Sequence, residues 1–245
     1  MKPVRSFEDF LPLALNERLT GNEKADFPEN YRNGKEEIIL QDILQKLQIY
    51  EQRNLKIADI GCGCSPLSFL ILEDCISRNN QFVGIDHLEV LNHLPDHPNI
   101  LKLAGKFPQH FYQWIRKEAE TFDCVIAYSV LQYEFWAGNA FEWIDSALRL
   151  LKSGGQLFLG DIPNDSKRNR FFRSESGITF HQEFMKSQEL PPQNLIEPRA
   201  DFPTDDWILE ILRCYRQKGY ETYVLPQNAG LAMSNRREDI LIRKW

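Results

Sequence analysis

From Lys56 onward the chain alternates short β-rich apolar runs with longer runs at helical spacing. This rhythm is the strongest constraint on the fold, because parallel strands need a crossover of a dozen or so residues between neighbours, usually a helix. Strands are predicted at Lys56–Ile60, Gln81–Asp86, 99–103, Phe122–Tyr128 and 156–160. Between them, helices are predicted over 67–77, 87–94, 107–119 and 141–151, the last halted by Lys152-Ser153-Gly154-Gly155. A further amphipathic helix over 205–218 carries Trp207, Ile208, Ile211, Leu212 and Tyr215 on one stripe. Runs at 220–225 and 239–244 have only a turn-rich connection between them, so they should pair antiparallel. The prediction is an α/β fold with a doubly wound, mostly parallel seven-stranded sheet and an antiparallel C-terminal strand. Residues 1–55, with a helix near 35–50, read as an N-terminal helical extension. Residues 56–245 read as the main domain, with a basic, then proline-bearing, cap-like insertion at 162–204.

Charge narrows the partners. The 29 Lys and Arg against 35 Asp and Glu give a net charge of −6, which disfavours binding to a bare phosphate backbone, so no nucleic-acid partner is expected. No stretch approaches the roughly 18 consecutive apolar residues of a membrane span. The five cysteines are odd in number, in a chain too long to need disulfide staples, and read as reduced thiols of a cytoplasmic protein. The sequence sets no oligomeric state.

The most informative segment is Asp59-Ile60-Gly61-Cys62-Gly63-Cys64-Ser65-Pro66, where the first strand turns into the first crossover helix. Glycines there free the backbone angles and remove side chains, at the edge of the sheet where ligands of such folds bind. Asp86 closes the second strand, placed to accept from both hydroxyls of a ribose. A dinucleotide fingerprint would need glycine at position 66, where Pro66 stands. Asp59, two residues before the first glycine, would repel a pyrophosphate and attract an ammonium or sulfonium. A bland alternative is a glycine turn that only tightens strand-to-helix packing.

Asp59-x-Gly61-x-Gly63, Asp86, the strand Phe122–Tyr128 and the Gly154-Gly155 turn together resemble motifs of class I S-adenosylmethionine-dependent methyltransferases, over residues 56–161. The resemblance implies S-adenosyl-L-methionine as cofactor, with Gly61 and Gly63 cradling its methionine part, Asp59 near its amino group and Asp86 on its ribose. Gly105, Lys106 and Phe107 would pack on adenine, and His87 would flank it. Many members carry an acid after the third strand for the adenine amine, but Ala104-Gly105-Lys106 has none. Tyr31-Arg32 resembles the N-terminal segment that closes over the cofactor in many members, with Arg32 on the methionine carboxylate. Tyr128, at the end of the fourth strand, would line the cofactor pocket, and Tyr133 the acceptor.

Methyl transfer to a hydroxyl needs alignment and a base. Asp161, closing the fifth strand, and His181 in the insertion are the alternatives for that base; a nitrogen acceptor would need little or none. Tyr128-Ser129 stands where metal-dependent relatives place a carboxylate, so no metal is expected, and Cys62 and Cys64 lack the spacing of a zinc site. Arg168 and Arg170 in the insertion, with Arg236 before the last strand, could bind an anionic acceptor. Several of these segments also resemble a bacterial subgroup of surface-polysaccharide methyltransferases. That likeness implies O-methylation of a small sugar, nucleotide-linked or phosphorylated glycan precursor. Two alternatives are N-methylation of a small metabolite and a catalytically silent binding module of the same fold.

Overall fold

A computed structural model describes residues 4–26 and 32–245. Seven strands, β1 (Lys56–Ile60), β2 (Gln81–Asp86), β3 (Ile100–Ala104), β4 (Phe122–Tyr128), β5 (Leu151–Pro163), β6 (Glu221–Leu225) and β7 (Arg237–Arg243), form one sheet in the order β3-β2-β1-β4-β5-β7-β6. The first five are parallel. β7 inserts between β5 and β6, antiparallel to both, as the short turn-rich connection requires. The longer helices are α1 (Glu36–Lys46), α2 (Pro66–Ser77), α3 (Leu131–Ala137), α4 (Ala140–Leu150), α5 (Asp165–Arg173), α6 (Glu175–Met185) and α7 (Asp205–Gln217). Among the described residues no helix is long and apolar enough to cross a membrane.

Successive strand residues face opposite sides of the sheet, and both sides are apolar here. Ala58, Val83, Val125 and Leu157 pack with Trp143, Ile144 and Ala147 of α4 and with Ile208 and Ile211 of α7. Their neighbours Ile57, Phe82, Cys124 and Phe158 pack on the other face with Ile39 and Ile43 of α1 and with Leu67, Ile71 and Leu72 of α2. The helix within the N-terminal extension therefore covers the sheet alongside α2.

Three local departures from the sequence pattern have physical causes. The helix predicted over 107–119 is helical only at Tyr112–Lys117. Pro108 cannot donate a backbone hydrogen bond and biases Phe107 away from helical angles, though Phe107, Phe111 and Ile115 of the stripe are all buried. β5 starts at Leu151, directly off α4, and residues between Leu151 and Gln156 leave the register against β4. Gly154 takes φ +81° within that excursion. Finally, α3 was not anticipated; it follows Ser129, which lies in the left-handed region at φ +62°. The insertion folds as α5 and α6 with a short helical turn, Gln193–Ile196, and α5 rests on α6 and α7.

Candidate functional site

The glycine loop occupies the carboxyl end of β1, between the ends of β2 and β4. Gly61 has φ +75°, and its N–H donates to the Ile85 carbonyl at 2.8 Å. A Cβ at Gly61 would lie 2.6 Å from Val130 Cγ2, so only glycine fits. Gly63, at φ +64°, donates its N–H to the Asp86 carboxylate at 2.8 Å, whose second oxygen accepts the His87 N–H at 2.7 Å. The hydroxyl of Ser68 donates to the Cys62 carbonyl at 2.6 Å, tying the loop to α2. The result is a preset open cleft of about 940 Å³, with Asp59, Gly61, Gly63, Asp86 and Tyr128 in its wall.

Two carboxylates dominate its electrostatics. Asp59 is 3% exposed, and burial, reinforced by the negative charge of Asp86, pushes its carboxyl up to about 8. Burial also raises Asp86, opposed by its bonds from Gly63 and His87. No cation among the described residues offsets Asp59. A positively charged ligand group would lower the energy of the wall more than a neutral one. Cys62 and Cys64 sit beside these acids with their thiol pKa values raised by burial, so they contribute little thiolate.

The N-terminal segment forms the opposite wall. Phe7, Phe10, Lys24 and Arg32 line the cleft. The Phe7 ring stacks on His87 with centroids 3.6 Å apart, and the Phe10 ring meets Tyr133 edge-on at 4.9 Å. Sequence reasoning missed Phe7 and Phe10; the signal was an aromatic pair at helical spacing ahead of Leu11. It also missed Glu134 on α3, which lines the cleft and is 6% exposed.

The expected adenine edge needs correction. Gly105 (φ +148°), Lys106 and Phe107 do not line the cleft. Phe107 is 3% exposed and packs edge-on against Trp143 at 5.3 Å, in the core below α4. Lys106 holds Glu8 by an ion pair at 2.9 Å, fastening the N-terminal segment. Tyr31 lies outside the described residues.

Asp161 and Arg32 meet each other. The Asp161 carboxylate accepts from Arg32 Nη2 at 3.1 Å, from Gln227 Nε2 at 3.2 Å and from the Ser129 hydroxyl. Burial pushes its pKa upward, but the charges of Arg237 and Arg32 and the bonds from Ser129 and Gln227 outweigh that and hold it below the usual carboxylate range. It lines a small pocket that meets the cleft at Arg32 and Tyr128. A base needs an accessible lone pair and proton affinity, and Asp161 is deficient in both. Arg32 reaches the cleft with its guanidinium 5.4 Å from the Tyr128 ring and bonds Ser129 Oγ at 2.5 Å. Its charge is thus already directed to Asp161 as well as to the cleft. His181 is buried in the cap, edge-on to Phe172 at 6.4 Å, and lines neither the cleft nor the chamber next to it.

That adjoining chamber, about 820 Å³, shares Tyr133 with the cleft. Arg168, Arg199, Arg236 and Arg237 line it, with Trp136 and Asp26. Buried Asp165 pairs with Arg168 at 3.0 Å and with Arg199 at 2.7 Å, and Arg236 lies 5.2 Å over the Phe172 ring. Arg170 is on the surface, paired with Asp205, and does not reach the chamber. Among the described residues no three His, Cys, Asp or Glu side chains converge on a metal position.

No family model matches the chain, and no curated protein does. Solved structures do. The plantazolicin methyltransferase BpumL, crystallised with a monoazolic desmethylPZN analog and SAH, superposes with TM-score 0.58 at 12% identity, over 97% of this chain and 98% of that one. The methyltransferase domain of bacterial CtHen1 gives 0.54 at 13% identity, over 86% and 98%. The CurJ carbon methyltransferase gives 0.55 at 16% identity over 90% of this chain, which spans 57% of the CurJ structure. The chain therefore has the class I methyltransferase fold, with β7 inserted antiparallel in the strand order given above.

Proposed function

We propose that this protein is an S-adenosylmethionine-dependent methyltransferase acting on a small molecule. The observation that carries the reading is Asp59: a buried carboxyl without a cationic partner among the described residues, under a glycine loop and one strand away from an Asp86 already oriented by two backbone N–H groups. The Asp86 carboxylate, oriented by the Gly63 and His87 N–H groups, would accept from the hydroxyls of a ribose. Asp59 provides the counter-charge for an ammonium, and Gly61 and Gly63 leave space for the chain between them. When bound, such a donor supplies an electrophilic methyl group on a positively charged sulfur.

The residues of this chain then have to orient an acceptor and shield it from water. Tyr133 stands between the cleft and the arginine-lined chamber, so an acceptor held in that chamber approaches the cleft past its ring. Arg168, Arg199, Arg236 and Arg237 support an anionic acceptor, because guanidinium forks match carboxylate and phosphate geometry. For a hydroxyl acceptor, Asp26 is the carboxylate facing the chamber; it is exposed, and partial desolvation there raises its proton affinity. It replaces Asp161 and His181 in our assignment of the base. A sugar or glycan-precursor acceptor rests on the sequence resemblance alone.

Titration calorimetry tests the donor half: heat with S-adenosylhomocysteine and none with NAD supports it, and the reverse result refutes it. Incubation with methyl-labelled donor and a fractionated extract of the native host, followed by mass identification of the labelled species, then names the acceptor.

A further inference from the structure

Gln132, in the first turn of α3, lines the arginine chamber and is only 3% exposed. Its Nε2 donates to the Ser129 carbonyl at 2.8 Å, which fixes the orientation of the amide. The other end, Oε1, is buried without a hydrogen-bond partner, and Tyr133 beside the amide does not satisfy that oxygen. Buried side-chain acceptors are nearly always paired. An unpaired one in a chamber wall marks a place where a ligand N–H or O–H completes the structure. Because Ser129 lines the donor cleft, this amide stands at the cleft end of the chamber.

An aromatic row leads away from it. Tyr133, shared by cleft and chamber, meets Trp136, one turn further along α3, edge-on at 5.5 Å. Trp136 meets Phe202 edge-on at 5.5 Å, and its indole N–H donates to the Asp201 carbonyl at 2.6 Å, which holds the ring in place. Arg199 lies over Phe202 at 3.3 Å. Its Nε and Nη2 both bond Asp165, and Nη1 has no bond among the described residues. The chamber therefore offers a hydrogen-bond acceptor at the cleft end, flat apolar rings along its length and a guanidinium at the far end. Leu195 and Met233 extend the apolar lining. A polyol between such walls would bury hydroxyls without partners.

Resting on the cofactor reading above, we infer that the methyl acceptor is an aromatic acid bearing a hydroxyl or amino group, with Gln132 Oε1 accepting from that group and Arg199 holding the acid. The small anionic acceptor proposed above is thereby narrowed to a ring with its hydrogen-bond donor and its charge at opposite ends. A glutamine oxygen has little proton affinity, so Gln132 orients the group without taking its proton. The planar guanidinium matches a carboxylate at the other end.

The test is titration calorimetry on the full chain saturated with S-adenosylhomocysteine. The probes are para-hydroxyphenylpropionate, para-aminophenylpropionate, unsubstituted phenylpropionate and the uncharged para-hydroxyphenylpropanol. The hydroxy or the amino acid should bind about 10-fold more tightly than phenylpropionate, and about 10-fold more tightly than the alcohol. Gln132→Met should bring the first ratio close to one, and Arg199→Ala the second. Wild-type ratios near one, or no binding of either substituted acid, overturn the inference without needing any variant to fold. An unchanged first ratio in Gln132→Met, with an unaltered thermal melt, also overturns it. If S-adenosylhomocysteine itself does not bind, the cofactor reading fails and this inference falls with it; if it binds and the acids are not distinguished, only this inference fails.

Discussion

A carboxyl with its pKa pushed up to about 8 is mostly protonated in the empty cleft at neutral pH, whereas a counter-charge for an ammonium must be ionised. Binding of S-adenosylhomocysteine should therefore expel a proton from Asp59. The ionised fraction of such a group is about 0.01 at pH 6, about 0.1 at pH 7 and about 0.5 at pH 8. If only the ionised form binds, the dissociation constant tightens about 50-fold from pH 6 to pH 8, a change of about 2.3 kcal/mol, and levels off above that. Calorimetry in two buffers of different ionisation enthalpy counts the released proton directly: close to one near pH 6.5, approaching zero near pH 9. Asp59→Asn should bind more weakly, with a flat pH profile. A dissociation constant independent of pH between 6 and 8, together with no buffer-dependent heat, would refute the reasoning. The sign for stability is opposite. The folded-state value lies above the ordinary 3.8, so the ligand-free protein loses stability as pH rises from about 4 to about 8, with a limiting slope of about 1.4 kcal/mol per pH unit. Asp59→Asn should flatten that slope in thermal melts.

Phe107→Ala should cost about 3–5 kcal/mol in urea unfolding, as expected for emptying a core aromatic site. The nucleoside affinity of the folded fraction should stay unchanged; a weakened affinity would return Phe107 to the adenine edge. Gly61→Ala should abolish measurable nucleoside binding by calorimetry, since the new methyl meets Val130 at 2.6 Å and the backbone stays at φ +75°. Asp161→Ala leaves Arg32 and Arg237 without their carboxylate and should lower stability by about 3–5 kcal/mol in denaturant titration. A pH–rate profile of the conservative Asp161→Asn variant with its acidic, ascending limb intact would separate this positioning role from that of a base. Arg236→Ala should raise the KM of an anionic acceptor about tenfold with little change in kcat, read from initial rates once the acceptor is identified.

The sheet was legible in the sequence because its strands are buried on both faces and so read as short apolar runs bounded by glycine and polar residues. Lys56–Ile60, Gln81–Asp86 and Phe122–Tyr128 have the predicted ends. The glycine loop was legible for a related reason: Gly61 and Gly63 adopt backbone angles that other residues resist, and that requirement is local. What escaped depends on distant contacts. Phe107 sits in a helical stripe whether it faces ligand or core, and only Trp143, 36 positions away, decides. Arg32 and Asp161 looked like two separate functional groups, but they meet across 129 positions of sequence. Glu134 was hidden in α3, which has a glycine stop at Gly138 but no side-chain cap at its start, Val130, and Phe7 lay in a segment outside the strand–helix rhythm.

Asp161 joins segments far apart in the sequence: Arg32 precedes the first strand, and Arg237, which bonds the Asp161 carbonyl at 3.0 Å, comes from β7. The side of the cleft formed by Arg32 and Tyr128 is therefore braced only after β7 has docked. That wall of the cleft therefore depends on segments far apart in sequence, which makes its rigidity a late product of folding rather than of any local unit.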